Sequence, residues 1–130
     1  MTLFINTTEF NKLELALISN ATLKTFEQTL AFNENYRTLE LLEKFLKKNK
    51  VSFDEITKVI ACSGPGSFTG IRVGLSMAQA FGFAKNIPVI TITKNKIPAD
   101  LTKLESLKLS NSKIFYGAQP NITMSKKKKR

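Results

Sequence analysis

The sequence predicts a three-layer α/β domain built around a mixed β-sheet. Three β-type segments come first, and then two helical segments alternate with two further β-type segments. Strands joined by a tight turn pair antiparallel, whereas strands joined by a helical crossover pair in parallel. The order β-β-β-α-β-α-β therefore predicts a five-stranded sheet, antiparallel at its start and parallel after each helix, with helices packed on it.

The first three strands are predicted at residues 3–5, 13–18 and 23–30, where apolar residues alternate or run together. Polar residues 6–11 and 19–21 separate them as turns. From residue 34 to 48 the period lengthens, which predicts an amphipathic helix capped by Asn33 or Asn35. Leu41 lies off the apolar face of this helix, whose members are Tyr36, Leu39, Leu42, Phe45 and Leu46.

Ser52 and Glu55 lie three residues apart and predict a capping box that starts one helical turn. A strand at residues 58–63 then leads through a glycine-rich segment, residues 64–70, into a helix at residues 71–84. Because Ile87 precedes Pro88, the helix is expected to stop there. The fifth strand follows at residues 89–93.

The pattern weakens after residue 93, which divides the chain into a core (1–93), a C-terminal extension (94–124) and a basic tail (125–130). Residues 97–108 predict a short helix with Leu101, Leu104 and Leu107 on one face. Residues 113–116 have some strand character.

The net charge of +10 is unevenly placed, because half of it lies in the tail. A run of like charges is typical of a solvated tail, and it also suits an arm that contacts RNA phosphates. The tail residues are Lys126, Lys127, Lys128, Lys129 and Arg130.

The chain has no histidine and one cysteine, Cys62, which removes the commonest general base and argues against a structural zinc site. The single cysteine, which excludes an internal disulfide, suits a reduced, cytoplasmic compartment. No apolar stretch is long enough for a membrane span, and no secretory signal is recognisable.

A strand, a glycine-rich turn and a helix together suggest a phosphate site, but the details of segment 64–70 argue against one. The Walker pattern fails because Ile71 and Arg72 follow Gly70, and the dinucleotide pattern fails because its third glycine position holds Thr69. Residues 56–99 contain no Asp or Glu for a ribose or a magnesium ion. Ser67 and Thr69 are expected to cap the helix rather than act as nucleophiles, since no histidine is present to activate them.

Four small residues recur every fourth position along the second helix: Gly70, Gly74, Ala78 and Gly82. Glycine inside a helix lowers its stability by roughly 0.8–1 kcal/mol relative to alanine. We therefore expect these small residues to allow another backbone to pack closely against the helix. The spacing leaves open whether that backbone belongs to the domain's own sheet or to a partner's helix.

The signature segment resembles the TsaB (YeaZ) family, accessory proteins of tRNA threonylcarbamoyladenosine biosynthesis. The residues that carry the resemblance are Gly64, Pro65, Gly66, Ser67, Phe68, Thr69, Gly70, Ile71, Arg72, Val73 and Gly74, followed by residues 78–80. The resemblance extends more loosely over residues 3–93. It implies an actin-like ATPase (ribonuclease H-like) domain, of which family members typically have two and this chain holds the first.

The resemblance also implies a role. TsaB pairs with its catalytic paralogue TsaD, and the ATPase TsaE joins them; the contact uses the two long helices, and TsaB self-pairs through the same surface. The second helix, with Gly70, Gly74, Ala78 and Gly82, is therefore predicted to bind the partner. ATP and Mg²⁺ are expected to serve the partner subunits, and tRNA to be reached through them.

This sequence departs from the family at Asn6, where relatives usually carry an aspartate, so ATP hydrolysis by this chain is not expected. The histidine pair with which the catalytic paralogue holds its metal is also missing. The resemblance thus predicts a non-catalytic scaffold. The alternative is a nucleotide-binding module that uses residues 64–70 as a phosphate cradle.

Overall fold

The computed structural model describes residues 1–9, 11–30 and 37–107. One five-stranded sheet runs through this part of the chain, in the order β3-β2-β1-β4-β5. Its strands are β1 (Thr2–Asn6), β2 (Lys12–Ser19), β3 (Thr22–Thr29), β4 (Lys58–Cys62) and β5 (Val89–Ile92). The sheet defines the α/β class that the sequence predicts.

The pairing directions follow the connections. The first three strands pair antiparallel, with Thr2 opposite Ile18 and Ser19 opposite Thr22. β4 pairs in parallel with both β1 and β5 after the two crossovers. The predicted mixed sheet is therefore confirmed, and β1 lies at its centre with all five residues buried.

Two α-helices pack on one face of the sheet: α1 (Thr38–Lys48) and α2 (Phe68–Lys85). The buried face of α1 differs from the predicted one, because Leu41 is buried whereas the side chain of Leu39 is 54% exposed. The helix packs with Phe45 against Phe26 of β3, with ring centroids 5.7 Å apart, and this contact turns Leu41 inward. The predicted caps Asn33 and Asn35, and Tyr36, lie outside the described residues.

The limits of α2 follow from local signals. Ser67 is the N-cap, and its Oγ accepts a hydrogen bond from Gly70 N at 3.2 Å. The helix starts at Phe68, three residues earlier than predicted, and ends at Lys85, with Asn86 as a C-cap in the left-handed conformation at φ 56°. The predicted turn after α1 is also present, with Ser52 N donating to Glu55 Oε2 at 2.8 Å.

The small residues of α2 face the sheet of their own chain. Gly70, Gly74, Ala78 and Gly82 are all buried. A Cβ added at Gly74 would overlap Thr7 Oγ1 at the end of β1, and one added at Gly82 would overlap Val89 Cγ2 of β5. Glycine at these positions therefore lets α2 lie close to the sheet.

The other face of the sheet is covered by residues 94–107, which form two 3₁₀ turns, Lys94–Lys96 and Leu101–Ser106. These turns replace the predicted short helix at residues 97–108. Leu104 is buried with five residues of the sheet: Phe4, Ala16, Ile18, Ile60 and Ile90.

Lys58 holds the end of this segment. Its Nζ donates to Glu105 O at 2.7 Å and to Leu107 O at 2.6 Å, and partial burial lowers the pKa of the amine.

The weak strand character at residues 113–116 lies outside the described residues. Within them, no helix has both the length and the hydrophobicity that a bilayer crossing requires.

Replacing Gly74 with alanine tests the direction in which the small residues point. On a solvent face this change would stabilise the helix by roughly 0.8–1 kcal/mol. Against Thr7 we expect the opposite sign, a loss of about 1–2 kcal/mol in the free energy of unfolding, because overpacking outweighs the helix gain. Urea unfolding measures both variants, with Ser76→Ala on the exposed face as the control. The loss should shrink in a Thr7→Ala background, and a stabilised Gly74→Ala protein would contradict the packing.

Replacing Leu104 with alanine tests whether residues 94–107 belong to the core. A leucine that is 1% exposed should lose about 2–5 kcal/mol of unfolding free energy on truncation. The partly exposed Leu101 provides the matched control and should lose clearly less. Equal, small effects for both variants in urea unfolding would show that this segment does not pack on the sheet.

Candidate functional site

The signature loop, residues 64–70, connects β4 to α2 and is fastened on both sides. Ser67 N donates to Thr8 O at 2.7 Å, and Lys94 N donates to Gly64 O, also at 2.7 Å. A Cβ on Gly66 would lie 2.7 Å from Thr8 Cβ, so the loop backbone lies directly on the β1–β2 connection. The loop therefore locks the start of α2 to the sheet.

The same contacts bear on the phosphate-cradle alternative. A cradle requires free N–H groups where the helix begins. Here the Ser67 N–H is bonded to Thr8, and the Gly70 N–H is bonded to the Ser67 side chain. Thr7 Oγ1 donates to Gly70 O at 2.5 Å, so Gly70 is engaged through both its N–H and its carbonyl group.

Asn6, at the end of β1, also makes internal hydrogen bonds. Its Oδ1 accepts from Thr8 N at 3.0 Å and from Thr8 Oγ1 at 2.7 Å, and its Nδ2 donates to Glu14 Oε1 at 3.0 Å. The amide thus shapes the turn after β1, and both of its polar atoms have partners. Among the described residues, no group of three or more His, Cys, Asp or Glu side chains is suited to hold a metal ion.

Cys62 ends β4 beside this network, and its side chain is 2% exposed. Burial raises the pKa of the thiol, which keeps it protonated near neutral pH. Since the thiolate is the reactive form, Cys62 contributes packing rather than nucleophilic chemistry.

The outward side of α1 and α2 contains an apolar groove, in contrast to the hydrogen-bonded polar groups at the ends of the strands. An open groove of about 650 Å³ lies between the two helices and the turn at Phe53–Glu55. We call this surface the two-helix face. Most of its lining is apolar, with Leu39, Phe53, Val73, Met77, Ala80 and Ala84 as the main members. Among the described residues, Lys85 is the charged member of the lining; it forms an ion pair with Asp54 and lowers the pKa of that carboxyl group.

Two exposed phenylalanines also lie on α2, outside the lining of this groove. Phe68, at the start of the helix, is 73% exposed, and Phe83, near its end, is 86% exposed. Arg72 lies one turn after Phe68, with its guanidinium carbon 5.5 Å from the centre of that ring. The outward side of α2 therefore carries one large exposed apolar side chain near each end, with Thr69, Arg72, Ser76 and Ala80 exposed between them.

The structure separates the predicted site residues into two groups. Gly70, Gly74, Ala78 and Gly82 face their own sheet, which corrects their assignment to a partner surface: a residue buried on the sheet has no surface left for a partner. Gly64 is buried and Ser67 half-buried in the loop, whereas the remaining signature residues are exposed: Pro65, Gly66, Phe68, Thr69 and Arg72. Residues 126–130 lie outside the described residues.

Sequence reasoning missed the residues of the two-helix face, although a signal was present. In α2 the single charge between Phe68 and Phe83 is that of Arg72, and apolar residues occur on the side of the helix toward α1 as well as on its inward side. A helix that is apolar all round is typical of burial on both sides.

Comparison with known proteins places this fold in a family. The model of the family described as "TsaD: tRNA N6-adenosine threonylcarbamoyltransferase" matches residues 31–108. The chain is 38% identical over 69 residues to the tRNA threonylcarbamoyladenosine biosynthesis protein TsaB of Buchnera aphidicola from Baizongia pistaciae, covering 52% of this chain and 31% of that protein. To the TsaB of the Buchnera from Acyrthosiphon pisum it is 27% identical over 88 residues, or 68% of this chain and 40% of the relative.

A solved structure, YeaZ from Pseudomonas aeruginosa, has the same fold, with a TM-score of 0.65 at 22% identity over 71% of this chain and 43% of that one. The chain thus spans between about a third and two fifths of the length of these curated relatives. The fold is that of the actin-like, ribonuclease H-like domain. The chain belongs to the TsaD family, and within it to the TsaB (YeaZ) group.

Proposed function

We propose that this chain is a non-catalytic accessory subunit in the biosynthesis of tRNA threonylcarbamoyladenosine, and that it binds a TsaD paralogue through the two-helix face. The observation that carries the proposal is the apolar groove between α1 and α2, whose lining includes the exposed side chains of Leu39 and Phe53. The named relatives, which are TsaB proteins of that biosynthesis, supply the pathway.

The two-helix face has the character of an interface. Soluble monomers rarely expose contiguous apolar patches beyond a few hundred Å², and larger ones mark interaction sites. Here a groove with mostly apolar lining exposes large apolar side chains, those of Leu39 and Phe53. A helical partner that fills the groove would remove these side chains from water, and the gain scales with the apolar area buried.

A TsaD protein is the partner that we favour, because its family model matches this chain over residues 31–108. A paralogue with the same kind of domain would bring the same pair of helices to the contact. Two such surfaces pack around an approximate twofold axis, as in an isologous interface. The same geometry supports a homodimer through this face, which would compete with the mixed pair.

The non-catalytic role is supported by the chemistry of the strand ends. The chain has no histidine, Asn6 gives its amide to the turn, and the Cys62 thiol is buried. The proposal assigns ATP and Mg²⁺ to the partner subunits TsaD and TsaE rather than to this chain. We also propose that the protein is cytoplasmic. A separate part of the proposal is that the basic tail, residues 125–130, contacts tRNA.

Ala80→Glu tests the proposed surface. Ala80 is exposed in the groove, so a carboxylate there should leave the fold intact but become buried and unpaired in the complex. We expect co-purification with TsaD from the same organism to be lost, with at least a tenfold weaker Kd, since 1.4 kcal/mol corresponds to about tenfold. Ala99→Glu, the same change in the segment over the opposite face of the sheet, should bind as wild type does.

Unchanged binding of a folded Ala80→Glu protein would contradict the assignment of this face. The nucleotide-binding alternative has its own measurement, calorimetry of the chain with ATP, ADP and Mg²⁺. Tight binding would favour the phosphate cradle, in which the Ser67 and Gly70 N–H groups could take part only by leaving their present partners.

A further inference from the structure

Four exposed lysines lie toward the end of α1 and just after it. They are Lys44, Lys47, Lys48 and Lys50, and we call them the α1 lysine group. Residues three and four positions apart are neighbours on the surface of a helix, which brings the first three together. Lys50 follows the helix, but its N–H donates to Lys47 O at 3.0 Å, which keeps it within one turn of the others. The group therefore concentrates four cations at one end of α1.

Few carboxylates neutralise this group. Lys44 Nζ lies 3.7 Å from a carboxylate oxygen of Glu40. In the part of the chain that the structure describes, no carboxylate lies at ion-pair distance from the other three lysines. The next acids along the chain, Asp54 and Glu55, are bound to other groups. Because neighbouring like charges on a helix destabilise it, an anion that binds between these lysines would be stabilising.

The end of α1 does not need Lys50 as a cap. Backbone N–H groups already satisfy its last carbonyl groups, since Val51 N donates to Leu46 O at 2.9 Å and Lys50 N donates to Lys47 O. Positive charge near a helix C-terminus is favourable in itself. However, Lys50 has a φ of 58°, the left-handed conformation that glycine usually adopts after a helix. The backbone thus favours glycine where the chain has lysine, which indicates a role for this ammonium group outside the domain's own stability.

The α1 lysine group is turned away from the two-helix face. Leu39 lines the groove. Lys48 follows Leu39 by nine residues, or about two and a half turns, and so lies on the opposite side of α1. Lys44 follows Leu39 by five residues and is turned by about 140° from it. A partner that fills the groove therefore leaves this side of α1 open.

A fifth lysine, Lys24 of β3, lies on the same edge of the domain. The strands β3 and β4 both run parallel to β1, so the crossover helix α1 runs antiparallel to β3. Phe26 of β3 contacts Phe45 of α1. Lys24 precedes Phe26 by two residues, which places it on the same face of the sheet and toward the end of the helix. It is exposed, and it adds to the positive charge on this edge.

We propose that the α1 lysine group, together with Lys24, binds the phosphate backbone of the tRNA on which the biosynthesis acts. This inference rests on the proposed function, in which the two-helix face is occupied by a TsaD-type partner. A lysine ammonium group is a compact point charge, so it binds phosphate without selecting a base. The surface would therefore position the tRNA rather than recognise its sequence.

The chemistry of this surface favours an RNA backbone over another protein or a membrane. Residues 47–50 read Lys-Lys-Asn-Lys and contain no apolar side chain. Lysine is depleted in protein interfaces, and membrane-surface helices combine their cations with apolar residues that enter the lipid. Surfaces that bind a nucleic-acid backbone instead use several cations along the phosphates.

The test measures the affinity of the full chain for an unmodified tRNA, alone and with TsaD from the same organism, by fluorescence anisotropy at several salt concentrations. We expect the double variant Lys47→Gln, Lys48→Gln to bind at least about fivefold more weakly at about 0.1 M salt. The slope of log K against log salt should fall by about 0.7–0.9 for each lysine removed. The matched control, Lys96→Gln with Lys103→Gln, removes two exposed lysines over the opposite face of the sheet and should bind within about twofold of wild type.

Lys50→Gly separates binding from stability. Glycine suits the backbone at this position, so the urea midpoint should equal or exceed that of wild type. The same variant should bind tRNA about twofold or more weakly, because one phosphate contact is lost. Unchanged tRNA affinity in this variant would contradict the role of Lys50.

The outcomes separate the two proposals. If wild type does not bind TsaD, the proposed function fails, and the tRNA measurement on the chain alone still decides the lysine surface. If wild type binds TsaD and the Lys47, Lys48 variant binds tRNA as the control does, the lysine surface is overturned while the proposed function stands. Loss of TsaD binding in that variant would overturn it in favour of a protein contact. A tRNA affinity that depends on residues 126–130 alone would overturn it in favour of the basic tail.

Discussion

The close approach of α2 to the sheet is the constraint on which the other features depend. Each of the three glycines inside α2 lowers the stability of the helix by roughly 0.8–1 kcal/mol relative to alanine. Close packing of the helix on the sheet offsets this loss. Gly70 and Gly74 lie against Thr7 of the β1–β2 connection, and Gly82 lies against Val89 of β5. The hydrogen bond from Thr7 Oγ1 to Gly70 O, at 2.5 Å, is possible because no side chain intervenes. A larger residue at any of these positions would move the helix outward and open the core beneath it.

This approach determines what the signature loop does. In a phosphate-binding turn, glycines keep the backbone free for a ligand. In this chain they let the backbone lie on Thr8, and the Ser67 and Gly70 N–H groups are consumed by that contact and by the helix cap. The same sequence pattern thus gives a rigid joint between β4 and α2. Asn6 adds to it, since its amide bonds to Thr8 hold the connection against which the loop rests.

Local signals in the sequence were sufficient for the sheet and for several boundaries. Alternating residues, turns and crossovers predicted the strand directions, and Ser67 and the Ser52–Glu55 pair were recognisable as caps. The direction in which a face points was not predictable in the same way. Spacing shows that Gly74 and Ala78 share a side of the helix, but the neighbour of that side is fixed by β1 and β5, which are distant in sequence. The burial of Leu41 instead of Leu39 on α1 also depends on a residue distant in sequence, because Phe45 of this helix packs against Phe26 of β3. The 3₁₀ turns over the second face depend on Lys58, whose bonds to two carbonyl groups span 47 and 49 residues.

The small residues on the inward side of α2 also help to explain why apolar residues lie on its other sides. A helix of this length in a small domain has two sides, and although Phe81 is buried in the core, other large apolar residues of α2 lie away from the sheet. With glycine and alanine against the sheet, Phe68, Val73, Met77 and Phe83 are left on the outside or at its edge. An ordinary domain would place charged residues there, but here Arg72 is the single charge between the two phenylalanines. The chemistry at the strand ends and the surface of the helices therefore point the same way. At the strand ends Asn6, Ser67 and Gly70 make hydrogen bonds within the domain, and the apolar groove between α1 and α2 is the surface to which we assign the proposed partner.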